Sequence, residues 1–345
     1  MAQNAIQQTR GQLEQGLRDR PVTRDLTWGI PVPVEGFRDK RIYVWFEAVM
    51  GYLTCSQEWA AQNGQPDAWR DWWDNPEAVH YYVHGKDNIP FHTIIWPAML
   101  MALGLHLPDR IISSEYLQFE GIKFSKSLGI GVWLPNALAQ FEPDAIRFFL
   151  TLHGPETSDT TFSWEEFRAR VNGDLIGTLG NFWNRVFTQI HRNWGMVPKY
   201  EAVAPESQEL RQQAKETFGV IGTRIERGEF RQALRTVLSL AQQGNRYLEV
   251  RAPWTRFRQD PSHAAETLGV CMEVGDALRR LANPFIPHTV GRLNDFLDTN
   301  DLAWQWNPLP AGKTVPSPKP LIPPIPEEAI QAELEKLAIG KQEET

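Results

Sequence analysis

The sequence predicts an α/β domain followed by an all-α domain. Three observations lead there. In the first half, runs of β-branched and aromatic residues alternate with helical stretches, the signature of parallel strands joined by helical crossovers. From Ser163 onward, apolar residues recur every three or four positions, which is helical periodicity. The two regimes meet at a helix-start signal, Ser163-Trp164-Glu165-Glu166, with Ser and Glu spaced as a capping box.

Taken in order, residues 1–20 read as a short amphipathic helix. Ile30-Pro31-Val32-Pro33-Val34 is extended, because its prolines fix φ and disfavour helix. Arg41-Ile42-Tyr43-Val44-Trp45-Phe46 reads as a buried strand. A helical stretch over 48–73 leads to a second strand over 79–85, which ends at Gly85. Residues 89–103 are apolar nearly all round and predict a buried helix. A third strand covers 111–117. Beyond Ser163, the stripe Phe167, Val171, Leu175, Leu179, Phe182, Val186, Ile190 predicts one long helix or a broken pair. Residues 206–224, 228–250 and 264–297 give further amphipathic helices, and the second half is a bundle. Seven prolines over 308–325 predict an extended strap, and 327–337 a last short helix. The divisions expected are 1–20, 21–162, 163–307 and 308–345.

Composition excludes several classes. With 345 residues, 42% hydrophobic and 22% charged, the chain can bury a core and is not intrinsically disordered. Two cysteines exclude a disulfide scaffold and a zinc site of three or four cysteines, and they suit a reducing, cytoplasmic setting. No apolar run is long enough for a membrane helix, so no membrane partner is expected. The net charge is −7, yet residues 172–260 hold 13 Lys and Arg against 9 Asp and Glu. That local balance of +4 leaves −11 for the remainder. The net charge argues against generic nucleic-acid affinity, while a mildly basic bundle beside an acidic α/β part fits a partner that touches only the bundle.

The most specific string is Lys123-Phe124-Ser125-Lys126-Ser127, between Gly121 and Gly129. Two lysines on one polar loop can reach a polyphosphate and neutralise charge developing in phosphoryl chemistry, with hydroxyls adding hydrogen bonds. Taken alone, such a string is as well read as a solvated loop. It resembles the Lys-Met-Ser-Lys-Ser loop of class I aminoacyl-tRNA synthetases of the methionyl type, with Phe124 replacing methionine. Ile112-Ser113-Ser114-Glu115-Tyr116-Leu117 upstream is similar to the family's strand into that loop. Arg147-Phe148-Phe149-Leu150, Pro155-Glu156-Thr157-Ser158-Asp159 and Phe162-Ser163-Trp164 downstream resemble the segment joining catalytic domain to bundle. The resemblance runs over about 15–337.

The family's properties then become expectations for this chain. The fold would be the second half of a Rossmann-like parallel sheet joined to an anticodon-binding bundle. Residues 1–20 would end a connective insertion, 21–162 would be the catalytic half with its phosphate loop, 163–307 the anticodon domain, and 308–345 the strap and tail. Lys123, Ser125, Lys126 and Ser127 would serve catalysis. Gly85 and Asp87, at a strand-to-helix turn, would take ATP with its Mg2+, Gly85 by close backbone approach and Asp87 at the ribose. Lys126 would share that role. Trp45, Ala48, Tyr52, His92 and Trp96 would line a methionine pocket, where aromatic rings and one polar group suit a polarizable thioether. Arg24 would orient the substrate carboxylate or adenylate. Asn181 and Arg185, one helical turn apart, and Trp254 would read the anticodon of tRNA(Met) by edge hydrogen bonds and stacking. For each residue the plain alternative is structural: aromatics at helical spacing are commonly core, Asp87 is a good N-cap, and Arg24 a surface arginine.

Two departures qualify the expectation. Val49 replaces a proline common at the pocket rim. None of the eight histidines forms the family's His-x-Gly-His signature, and the zinc-bearing insertion is absent, so no zinc and no other metal site is expected in this chain. The reading is therefore a C-terminal portion of a methionine–tRNA ligase, either a fragment or one subunit of a split enzyme whose other catalytic half is a separate partner. The alternatives are a non-catalytic tRNA-anticodon-binding module and an inactive truncated product.

Overall fold

A computed structural model describes residues 3–120 and 131–342. The phosphate-loop string with Lys123, Ser125, Lys126 and Ser127 lies outside the described residues. The chain divides into two compact units, Met1–Tyr116 with Pro155–Ser158, and Leu117–Gly154 with Asp159–Thr345.

The first unit opens with helix α1 (Gln3–Glu14), then an antiparallel ribbon of β1 (Thr23–Arg24) and β2 (Arg41–Ile42). The expected strand over 41–46 is corrected here: only Arg41 and Ile42 pair, and Val44–Ala48 forms helix α2. Tyr43 is extended and its carbonyl accepts from the amides of Phe46 and Glu47, which starts a helical turn and overrides the strand propensity of the aromatic run. The expected helix over 48–73 is split into α3 (Gly51–Gln62) and α4 (Arg70–Trp73). Between them the chain turns through Gly64 at φ +69°, a conformation that favours glycine.

Strand β3 (Tyr81–Gly85) pairs in parallel with β4 (Arg110–Ser114), from Tyr81 opposite Arg110 to Gly85 opposite Ser114. The crossover between them begins as a 3₁₀ turn (Lys86–Asn88), passes through a π turn (Phe91–Ile95) and continues as α5 (Trp96–Leu103). Gly104, left-handed at φ +68°, ends it, its amide reaching the Leu100 and Met101 carbonyls. The small core here gathers Val49, Trp73, Tyr82, Ile89, Trp96, Leu100 and Ile111. Of the chain's 14 tryptophans, Trp73 packs edge-on to Trp96 in this core with ring centres 5.7 Å apart, and Trp72 leans on Trp59 nearer the surface at 5.1 Å.

In the second unit β5 (Leu117–Phe119) pairs in parallel with β6 (Thr160–Phe162), joined through α6 (Leu134–Gln140) and α7 (Pro143–His153). The parallel pairing expected from strand–helix alternation thus occurs as two-stranded ladders, one in each unit. Ser163 caps α8 (Trp164–Arg170), its Oγ accepting from the Glu166 amide at 3.2 Å. α8 runs without a break through a π segment (Val171–Gly180) into α9 (Asn181–Asn193). Of one long helix or a broken pair, the structure has the continuous rod; Val171, Leu175 and Leu179 are spaced by four, which drifts about 40° per turn on a 3.6-residue helix, and wider π turns absorb the drift.

α10 (Pro205–Glu226), α11 (Phe230–Arg251), a short α12 (Pro253–Arg256) and α13 (Pro261–Ala282) complete the bundle. The helix expected over 264–297 ends at Ala282, because Pro284 cannot continue it, and α14 (Pro287–Leu297) restarts with proline in its first turn. α13 is the central helix, buried on nearly every side, and its last turns carry ionised groups into that core. Asp276 accepts from Arg279 at 2.7 Å and from Arg280 at 3.3 Å, and Arg280 also binds Asp301 at 2.9 Å. The Arg280 guanidinium, with help from the Ala303 amide, holds Asp301 far below the usual carboxylate range. The proline strap pairs at Met196 with Thr314, buries Val315, Ile322 and Ile325, and leads to α15 (Glu327–Gln342).

Candidate amino-acid pocket and RNA-binding surface

Because α2 is helical, Trp45 and Ala48 fall at i and i+3 on one side of it, which a strand would not have allowed, and Tyr52 follows in the first turn of α3. Trp45 faces Phe91 with ring centres 5.9 Å apart. Tyr52 packs edge-on to Tyr82 at 5.3 Å and tilts against Trp96 at 6.3 Å. Trp96 is fully buried and donates its indole N–H to the Tyr82 hydroxyl at 2.8 Å.

The polar centre of this cluster is His92. Its Nδ1 lies 2.9 Å from the Asn88 carbonyl, which can only accept, so Nδ1 carries the proton. Nε2 is then an acceptor and receives the Tyr52 hydroxyl proton at 2.8 Å. Burial pushes the His92 pKa below its ordinary value, which favours the neutral imidazole. His84 stacks on His92 at 4.3 Å, and its pKa too is lowered, chiefly by burial. Tyr52 is shifted upward by the same cause and stays a neutral donor. The result is a half-buried aromatic bowl with one oriented, uncharged hydrogen-bonded pair. Such surroundings suit an apolar, polarizable side chain and reject a charged one.

Gly85 sits where β3 gives way to the 3₁₀ turn. Its φ of −79° is one that any residue adopts, but among the described residues no atom beyond its chain neighbours lies within 4 Å of where a Cβ would stand. The open face admits a ligand to the backbone. Asp87 accepts from the Tyr116 hydroxyl, and Lys86 pairs with Glu115 at 2.7 Å. Arg24 makes local contacts: its guanidinium lies 3.7 Å above the Tyr43 ring and donates to the Pro21 and Thr23 carbonyls. Among the described residues no hydrogen bond or ring contact ties Arg24 to His92 or Trp96.

In the second unit, Asn181 opens α9 and is exposed, and Arg185 lies one turn later. Arg185 is oriented by neighbouring side chains. It donates to Asn245 Oδ1 and to Glu249 Oε1, each at 3.2 Å, and lies 5.6 Å from the Trp254 ring centre. Asn245 is itself anchored on the Thr178 carbonyl at 3.0 Å. Trp254 follows a tight corner, with Ala252 left-handed at φ +40° and Pro253 buried in the first turn of α12. The corner leaves the indole 44% exposed, an open aromatic face beside an oriented guanidinium. Arg185 and Trp254 are therefore brought together, with Asn181 beside them along the helix.

Sequence reasoning did not single out Tyr82, His84, Asn88, Asn245 or Glu249. Tyr82 and His84 alternate on β3 and so share one face, a period-two signal that was available. Asn245 and Glu249 lie far from Arg185 in sequence and carry no local signal.

Residues 1–187 match the family described as tRNA synthetases class I (M), and 197–342 match the anticodon binding domain of methionyl tRNA ligase. The chain belongs to the methionine–tRNA ligase family. The methionine–tRNA ligase of Roseiflexus castenholzii is 40% identical over 372 residues, covering 97% of this chain and 63% of its own length. That of Bacillus cereus strain 03BB102 is 40% identical over 336 residues, covering 97% and 60%. The chain thus spans less than two thirds of these relatives. Among solved structures, Mycobacterium tuberculosis methionyl-tRNA synthetase bound by methionyl-adenylate superposes with a TM-score of 0.80 at 27% identity, covering 94% of this chain and 64% of that one. No helix among the described residues is long and apolar enough to cross a membrane, and none of them forms a cluster of three or more metal-ligating side chains.

Proposed function

We propose that this chain supplies the methionine pocket, part of the ATP site and the anticodon-reading bundle of a methionine–tRNA ligase, which joins methionine to ATP as methionyl-adenylate and transfers it to tRNA(Met) in the cytoplasm. The observation that carries the reading is the Tyr52–His92 pair inside the bowl of Trp45, Phe91, Tyr82 and Trp96. In it, Trp45, Ala48, Tyr52, His92 and Trp96 surround the thioether side chain. Arg24 acts on the carboxylate or adenylate end. Gly85 and Asp87 meet the nucleotide, which brings its own Mg2+, and Lys123, Ser125, Lys126 and Ser127 neutralise the phosphates. Asn181, Arg185 and Trp254 take the anticodon bases. The segments act as read from the sequence: 1–20 leads in, 21–162 holds the substrates, 163–307 holds the RNA, and 308–345 straps the bundle. The other catalytic half of the family's fold completes the site.

The test is reconstitution. The chain is mixed with a separately produced N-terminal half from a family member, and methionine-dependent exchange of pyrophosphate into ATP is measured. Exchange that requires both halves supports the reading. A folded, associated pair that binds methionine no better than leucine would overturn it.

A further inference from the structure

The pairing of Arg185 uses up one edge of α11, and the rest of that helix's outer face is unusual. Its buried residues, including Ala233, Val237, Ala241, Gly244 and Leu248, define the inward side. On the opposite side, at about 100° per residue, Arg235, Ser239, Gln242 and Arg246 fall within about 60° of one another. All four are exposed. Arg235 and Arg246 stand 11 residues apart, about 16 Å along the axis, and nearly eclipse each other. Neither makes an ion pair or side-chain hydrogen bond among the described residues. Glu249, on the same helix beside this face, is already engaged with Arg185. At the N-terminal end of the face Arg231 donates to the Gly154 carbonyl. There Arg170, Arg231 and Arg235 all bear on the His153 imidazole, whose pKa is lowered first by burial and then by these three charges against the opposing pull of Glu166. At the C-terminal end the face runs into Arg185 and Trp254.

We propose that this outer face of α11 is a track for the sugar-phosphate backbone of the RNA whose unstacked base meets Trp254, with Arg235 and Arg246 contacting phosphates. The proposal rests on the RNA-binding reading above and adds a surface to it. Unpaired guanidiniums in a row, with side-chain amide and hydroxyl between them, are the pattern that grips a phosphate chain without reading sequence. At about 3.4 Å of axis per nucleotide, the two arginines span about five nucleotides of one strand. The track agrees with the local excess of Lys and Arg over 172–260 in a chain of net charge −7.

The experiment titrates the full chain with a transcript of tRNA(Met), and with the same transcript carrying a changed anticodon, across a salt series. Arg235→Gln with Arg246→Gln is expected to weaken both RNAs about tenfold at low salt and to flatten the log–log salt dependence by about 1.5 to 2. The ratio between the two RNAs should hold. Arg235→Lys with Arg246→Lys should retain the slope. An unchanged slope and affinity in the double glutamine variant, while Trp254→Ala still weakens binding, overturns the track and leaves the base-reading surface standing. If neither variant changes binding, both readings fall. Competition by polyglutamate as effective as by RNA would overturn the assignment of RNA as the partner.

Discussion

The Tyr52 hydroxyl and the Nε2 of His92 meet at 2.8 Å, and because the Asn88 carbonyl claims the Nδ1 proton, the hydrogen between them belongs to Tyr52. One backbone carbonyl at the start of a helix therefore sets the polarity of a pair that joins α3 to the crossover helix. It also leaves the tyrosine oxygen free to accept from a ligand.

Removing His92 exposes how much this pair contributes. His92→Ala strands the Tyr52 hydroxyl and opens a hole beside Trp96, and should cost about 1–3 kcal/mol of stability. Urea unfolding followed by tryptophan fluorescence measures that loss. Calorimetry with methionine should show affinity falling in parallel, whereas Tyr52→Phe should lower affinity with a smaller effect on stability.

Stability should rise with pH through weakly acidic values. His84 and His92 both have pKa values depressed in the fold, chiefly by burial. Below the ordinary histidine value the unfolded chain binds more protons than the folded one, so acid favours unfolding. The contribution is complete above about pH 6.5 and is lost as pH falls through the depressed values. Urea midpoints measured from pH 5 to 8 should show the slope, and His84→Phe combined with His92→Asn should flatten it.

At the RNA-binding end, Trp254→Ala should weaken tRNA binding by about 1–3 kcal/mol, the usual loss of one stacking platform. The indole is 44% exposed, so the thermal midpoint should barely move. Trp254→Phe should restore part of the affinity. Arg185→Lys should also weaken binding, since a lysine cannot bond Asn245 and Glu249 together while lying beside the indole.

Much of this architecture was legible in the sequence because it follows local rules. Ser163 announced its cap, the stripe from Phe167 to Ile190 its helix, and the prolines over 308–325 their strap. The residues of the bowl can be picked out from the sequence, yet its 41–46 segment reads as strand. Aromatic and β-branched side chains speak for either state in a short run, and the backbone bonds at Tyr43 decided it. The partners of Arg185 were invisible for a different reason. They come from another helix, and only tertiary packing sets them beside it. The π turn before Trp96 likewise leaves no signature in residue type.

The buried charges of α13 make a further measurable claim. Asp276→Ala would leave Arg279 and Arg280 without their shared carboxylate in the core and should cost about 3–5 kcal/mol, with Asp276→Asn intermediate. Because Arg280 also holds Asp301, the loop after α14 should become more susceptible to proteolysis in both variants.

The π segment of Val171–Gly180 works as a phase shifter between two rigid rods. α8 is docked by Ser163 and Phe167 on one side of it, and α9 presents Asn181 and Arg185 on the other. Each residue added to or taken from the segment turns everything downstream by about 100° relative to everything upstream. The angular setting of Arg185 toward Trp254 is thus encoded by a residue count in a stretch that touches neither. Changes in that count, more than changes in side-chain identity there, are what this helix is least able to absorb.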